Sequence, residues 1–288
     1  MEPMKKRTDW ICPLCGQPLL LGEGEKTLGC ENGHCYDRAR QGYCHLLPVN
    51  RKHTRDPGDN AQMVMARREF LHTGGYDGFR QALSRLVLEA VGEKKEPLVL
   101  DVGCGEGFYT AHMEQTLRGA GKAPRVLGFD ISKSAVKAAA GTYKNVSFCV
   151  ASSFAIPVED GACDCVTEVF SPLVPEEFRR VTKSGGVLIL AVPGPRHLWG
   201  MKQVLYERPY ENERHDTDFA GFRFERRETV TGHLSLSRPQ DIRNLYAMTP
   251  YYWKTGEEGS HRLLALSHLE TETEFDFLLY RREEEPSC

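Results

Sequence analysis

The second third of the chain carries an ordered pattern of apolar and polar positions. Residues 98–102, "LVLDV", form an apolar run without alternation, which predicts a strand buried on both faces of a parallel sheet. Glycines follow at 103, 105 and 107. "RVLGFD" predicts a second strand ending at Asp130, and "VSFCV" a third. After a loop and the Asp160-Gly161 dipeptide comes a fourth strand over about 165–170. "EEFRRV" reads as a helix, Gly185-Gly186 as a turn and "VLILAV" as a fifth strand. Strands alternating with helices predict an α/β doubly wound sheet with its ligand crevice at the strands' carboxyl ends. The predicted divisions are a small module over 1–60, a connecting helical segment over 61–95 and the α/β domain over 96–288.

Composition narrows this picture. The chain has 288 residues, 40% hydrophobic and 27% charged, with a net charge of −3. No run is apolar and long enough for a membrane span, and "MEPMKKRTDW" lacks the apolar stretch of a signal peptide, so the expected location is the cytoplasm. Ten cysteines spread over the whole length are no disulfide framework in a reducing compartment. A metal accounts better for the first of them. Cys12 and Cys15 stand on a tight turn with Pro13 and Gly16, and Cys30 and His34 offer a second pair, completing a tetrahedral zinc set. Adjacent Cys35 competes with His34 for the fourth place. A module this small buries too little apolar surface to fold alone, so the expected ion is structural and its core separate from that of the sheet. Arg38, Arg40, Arg51, Lys52 and Arg55 follow without one acidic residue between 38 and 55, interleaved with Tyr43 and preceded by Tyr36. Such a strip suits phosphate contact with base stacking; on charge alone it reads as a solvated basic face.

The loop after the first strand, Asp101-x-Gly103-x-Gly105-Glu106-Gly107, departs from a dinucleotide fingerprint, which wants its third glycine where Phe108 stands. It resembles instead the cofactor loop of Rossmann-like, class I S-adenosylmethionine (SAM) methyltransferases. Asp130, at the end of the second strand, is then positioned to accept the ribose hydroxyls. The fourth strand ends in "EVFSP", without the Asn/Asp-Pro-Pro-aromatic element of amino-methylating enzymes. No Pro-Cys dipeptide offers the nucleophile of cytosine-C5 enzymes, and Cys163 and Cys165 read as packing residues. A small-molecule methyltransferase with an incidental zinc knuckle and a catalytically silent RNA-binding adaptor are the alternatives.

"CPLCGQPL", "LLPVNRKHTRDPGDNAQMVMARREFLHTGGYDGFR", "VLDVGCGEGFYT", "VASSFAIP", "VPGPRHLWGMK" and "MTPYYW" occur in that order. Together they resemble the RlmA-type methyltransferases, which methylate N1 of a guanine in a hairpin of 23S ribosomal RNA; one branch of that family is linked to tylosin-type macrolide resistance. The resemblance implies zinc on Cys12, Cys15, Cys30 and His34, and cofactor contacts at Tyr76, Glu106, Gly107 and His197. It also implies an rRNA hairpin as partner, with the zinc module as its reader; a homodimer is compatible with it. N1 of guanine must shed a proton as it attacks the sulfonium methyl. No residue identifies itself as the base: Glu168, Asp56, Asp59 and water all remain open.

Overall fold

The computed structural model of the chain describes residues 6–48, 58–214 and 218–284. Arg51, Lys52, Arg55 and Asp56 lie outside the described residues.

A four-stranded antiparallel sheet comes first: β1 (Arg7–Ile11), β2 (Pro18–Leu21), β3 (Thr27–Gly29) and β4 (Cys35–Asp37), in that order. The next strand, β5 (Cys44–His45), leaves this sheet and joins the large one. It pairs in parallel with β8 (Ser147–Val150), Cys44 opposite Cys149. The large sheet also contains β6 (Leu98–Val102), β7 (Arg125–Asp130), β9 (Cys163–Val169), β10 (Thr182–Pro193), β11 (Phe222–Leu236) and β12 (Leu269–Arg282). Its order is β11-β12-β10-β9-β6-β7-β8-β5, parallel from β10 through β5, with β12 antiparallel to both neighbours. The chain reverses its direction of winding between β6 and β9, so the crevice falls at the carboxyl ends of these two strands.

All five residues of β6 are buried, as the unbroken apolar run requires. The Gly185-Gly186 pair is not a turn before a strand. β10 runs through it, with its register against β9 shifting between Thr182 and Val187 and Gly185 at φ +68°. The extra residues form an irregularity that keeps the strand continuous.

Alternate residues of β6 serve opposite faces. Val99 joins a core with Phe79 and Leu83 of α2 (Asp77–Val91), Met113 and Leu117 of α3 (Phe108–Gly119), and Val136 of α4 (Lys133–Thr142). The same core takes in Phe70 of α1 (Ala61–Leu71). Leu98, Leu100 and Val102 face a second core with Phe178 of α5 (Pro175–Val181). Trp10, Leu19 and Leu28 of the small sheet belong to that second core. The expectation of a separate core for the N-terminal module is therefore corrected: it covers a face of the large sheet that a helix layer covers in an ordinary doubly wound fold. Polar contacts fix the seam. The Trp10 indole donates to Ser147 Oγ at 2.8 Å, Ile11 N–H donates to Pro157 O at 2.9 Å, and Arg125 pairs with Asp9.

Candidate metal centre and cofactor crevice

The knuckle between β1 and β2 closes when Gly16 N–H donates to Cys12 O at 2.8 Å. This presents Cys12 and Cys15 toward the turn between β3 and β4. The ligand atoms of Cys12, Cys15, Cys30 and His34 all lie within 4.8 Å of one another. Cys15 and Cys30 sulfurs are 3.7 Å apart, and His34 Nδ1 is 3.4 Å from Cys30 Sγ and 3.5 Å from Cys12 Sγ. Sulfurs bound at zinc's usual distance to one tetrahedral centre stand roughly 3.7 Å apart, so the four atoms fit the ion. The backbone N–H of Gln17 leads the effects that bring the Cys15 thiol down to about 6, toward the thiolate the metal needs. Cys35 is exposed and outside the group, so the geometry takes His34 as the fourth ligand. The basic strip departs from expectation where it is described. Arg38 pairs with Glu25, the Tyr36 hydroxyl lies 3.1 Å from Cys12 Sγ, and Tyr43 is buried in the first core. Burial takes Tyr43 out of reach of a stacking base, while the Tyr36 ring is half-buried.

Across the large sheet, Gly103, Gly105 and Gly107 adopt φ of +69°, +54° and +82°. A Cβ at Gly103 would meet Ser171 Cβ at 2.5 Å, whereas one at Gly105 would have nothing nearer than Arg67, at 3.7 Å. The loop therefore packs tightly at its first glycine and is open at its second. Asp101, just before it, is buried, and its oxygens are taken by the hydroxyls of Thr110 and, at 2.8 Å, Thr167. It ties α3 to β6 and β9, and burial raises its carboxyl to about 6.

Asp130 accepts Gly105 N–H at 2.9 Å on one oxygen and Ser132 N–H at 2.7 Å on the other. Each oxygen keeps a further lone pair for a ligand hydroxyl. Glu106 is only 2% exposed, and neither of its oxygens has a hydrogen-bond partner among the described residues. Burial raises its carboxyl to about 7, opposed by Arg68 and then Arg67. Tyr76 and His197, far apart in sequence, meet: the phenol oxygen lies 3.4 Å from His197 Nε2. Burial first, and the charge of Lys202 second, hold His197 down at about 3, so its ring is neutral. Its Nδ1 accepts Glu274 N–H at 3.3 Å, which leaves the proton on Nε2 to donate to Tyr76. The phenol hydrogen of Tyr76 is then not spent on His197.

An unpartnered carboxylate, two acceptor oxygens with spare lone pairs and an open glycine together fit the amino-acid, ribose and backbone-approach requirements of an adenosyl sulfonium. At the end of β9, Glu168 is buried with Oε1 accepting Ser171 N–H and Oε2 without a partner among the described residues. Burial raises it to about 8. Phe170, 49% exposed, holds φ +56° and stacks on Phe79 at 5.8 Å and 26°. Asp59 is engaged by Arg67 at 2.6 Å. Sequence reasoning included Arg67 and Arg68 within the resemblance block "MARREFL" without giving either a role, and passed over Phe170, whose left-handed backbone leaves no mark in residue type.

A family profile described as "RlmA, N-terminal" matches residues 10–55, and one described as "Methyltransferase domain" matches 93–230. A Streptomyces fradiae protein named 23S rRNA (guanine(748)-N(1))-methyltransferase is 36% identical over 65% of this chain and 64% of its own length, just under two thirds. A Bacillus subtilis (strain 168) protein, provisionally named 23S rRNA (guanine-N(1)-)-methyltransferase, is 28% identical over 96% of this chain and 99% of its own. A Micromonospora griseorubida protein with the same provisional name is 32% identical over 91% of this chain and 93% of its own. With an N-terminal zinc ribbon profile followed by a methyltransferase profile, and a 32% identical match across nearly the full length of both chains, this chain belongs to the RlmA-type 23S rRNA (guanine-N1)-methyltransferase family.

Proposed function

We propose that the chain transfers the methyl group of SAM to N1 of a guanine in a hairpin of 23S rRNA. The observation that carries this reading is the zinc-ligand set and the cofactor crevice in one folded unit, combined with full-length similarity to relatives named for that reaction. Bound SAM supplies an electrophilic sulfonium methyl. The chain's own residues hold, orient and deprotonate. Asp130 takes the ribose hydroxyls, Glu106 and the glycine loop take the amino-acid end, and the Tyr76 hydroxyl, aligned by His197, donates into the crevice.

The acceptor guanine leaves its stack and enters beside β9. Among Glu168, Asp56 and Asp59, Glu168 is best placed to receive the N1 proton. Asp59 is held by Arg67, and Asp56 lies outside the described residues. The unpartnered Oε2 of Glu168 is the oxygen that would accept the proton, and because burial raises its carboxyl it does so from the ionised fraction, which grows as pH rises. The ribbon grips the RNA, with Arg40 exposed on it and the further cations of the strip following. We assign the ribbon to residues 1–60, a connecting helical segment to 61–95 and the catalytic domain to 96–288. The place of action is the cytoplasm, where the rRNA is made; no helix among the described residues is long and apolar enough to cross a membrane.

Mass mapping of methylated bases in 23S rRNA, from cells with and without the protein, tests the reading. One guanine in the hairpin should lose its N1 methyl when the protein is absent. Identical maps, with methyl transfer to a small acceptor instead, would overturn it.

A further inference from the structure

Helix α1 brings Arg67 and Arg68 beside the glycine loop, and its anchoring is specific. The Asn60 side chain caps it by accepting Gln62 and Met63 N–H, both at 3.0 Å. Gly58 presses so closely on Ile131 and Ser132 that an added Cβ would meet them at 2.8 and 3.1 Å. Ser132 Oγ donates to Asp59 O at 2.6 Å, and Asp59 holds Arg67 at 2.6 Å, beside Gly105. The start of the helix is thus fixed to the residues following Asp130.

The next residue, Arg68, is held differently. Its Nε stands 3.9 Å from Glu106 Oε2, beyond hydrogen-bond reach, and its side chain is 41% exposed while that of Glu106 is 1%. A buried carboxylate with both oxygens unpaired is costly, and such groups persist where something else completes them. Here a guanidinium faces the carboxylate across a gap. A group bearing a cationic and an anionic substituent on one carbon satisfies both walls of that gap; a simple cation or anion satisfies one.

We propose that Arg68 is a cofactor-binding residue that donates to the α-carboxylate of the cofactor's amino-acid end, while Glu106 accepts from its α-ammonium. The ligand class is an α-amino-acid zwitterion joined to an adenosyl group. Arg67, committed to Asp59, positions the helix. The assignment rests on the reading of the crevice as a SAM site.

Calorimetry with three non-reacting or truncated ligands tests it without any turnover. The ligands are S-adenosylhomocysteine, its decarboxylated analogue, and methylthioadenosine, which lacks the whole amino-acid end. The wild-type chain should prefer S-adenosylhomocysteine to the decarboxylated analogue by about 10- to 100-fold, the range for a hydrogen bond to a charged group. Arg68→Ala should lose most of that preference, Arg68→Lys should keep part of it, and methylthioadenosine should bind all three proteins alike. An Arg68→Ala chain that keeps the full preference, or loses affinity for the three ligands equally, overturns the assignment alone. A wild-type chain that binds none of them overturns the cofactor reading and this assignment with it.

Discussion

The small sheet and the large one solve the same problem by different means. The central strands of the large sheet are buried on both faces, and residues such as Val99, Leu100 and Val166 are completely covered by neighbours from several elements. The small sheet hides Trp10, Cys12, Leu19 and Leu28 but little else from β1 to β4. It holds its turns with four metal-ligand side chains and covers its apolar face with another sheet. One region is stabilised from within. The other needs an ion on one side and a partner surface on the other, so damage at either place should travel further than its size suggests.

The strongest way to break that contrast is Cys15→Ser. Serine binds zinc poorly, and the ribbon has too little buried surface to replace ~10 kcal/mol or more of metal-linked folding energy. We expect zinc to be lost and transfer to unmodified 23S rRNA nearly abolished, with cofactor affinity within about tenfold. Because the ribbon shares the second core, the unfolding midpoint of the whole chain should fall as well. Elemental analysis, calorimetry and a thermal melt read these separately. An unchanged midpoint would mean that the ribbon is energetically independent after all.

Trp10→Ala attacks the same seam without touching the metal. It removes a buried ring and the 2.8 Å bond to Ser147, and should cost ~3–5 kcal/mol in urea unfolding while zinc content stays constant. In the loop, Gly103→Ala meets both a left-handed backbone and Ser171, and should cost ~3 kcal/mol or more. Gly105→Ala has the backbone cost alone, ~1–2 kcal/mol. Equal losses at the two positions would show that contact with Ser171 is not what fixes the loop.

The smallest effect is a slope. His197 sits at about 3 in the folded chain against an ordinary 6.5. Below about 6.5 the unfolded chain takes up a proton that the folded chain refuses. Stability from this group is therefore full above 6.5 and falls by ~1.4 kcal/mol per pH unit toward about 3. Urea titrations at pH 7, 6 and 5 should show this slope in the wild type relative to His197→Gln. Parallel curves would place the ring in contact with water.

What the sequence revealed follows from how local each signal is. The apolar run before Gly103, the three glycines and Asp130 declare the crevice because strand, turn and acceptor are set by neighbouring residues. The zinc set was legible for the same reason, although His34 and Cys35 could not be separated until β4 turned Cys35 outward. Contacts across the fold left no such trace. Nothing in "YCH" announces that two of its residues extend a sheet against Cys149 and Val150, or that Trp10 reaches Ser147. Tyr43 read as a stacking residue because its type fits that role; the core claims it instead, and the Tyr36 hydroxyl reaches Cys12 Sγ. Glu106 could be named from motif resemblance, but its lack of partners is a property of burial that residue type does not encode.

The join between β5 and β8 has a consequence for how the chain comes into being. Synthesis delivers the ribbon before the sheet it packs on: Ser147, the partner of Trp10, is 137 residues further on, and Cys149 and Pro157 come later still. The ribbon's apolar face therefore stays uncovered on the ribosome until residues 147–157 have been made. Early capture of zinc would hold its turns through that interval. When β8 does emerge, β5 closes that edge of the growing sheet and leaves fewer open backbone groups for a neighbouring nascent chain to pair with.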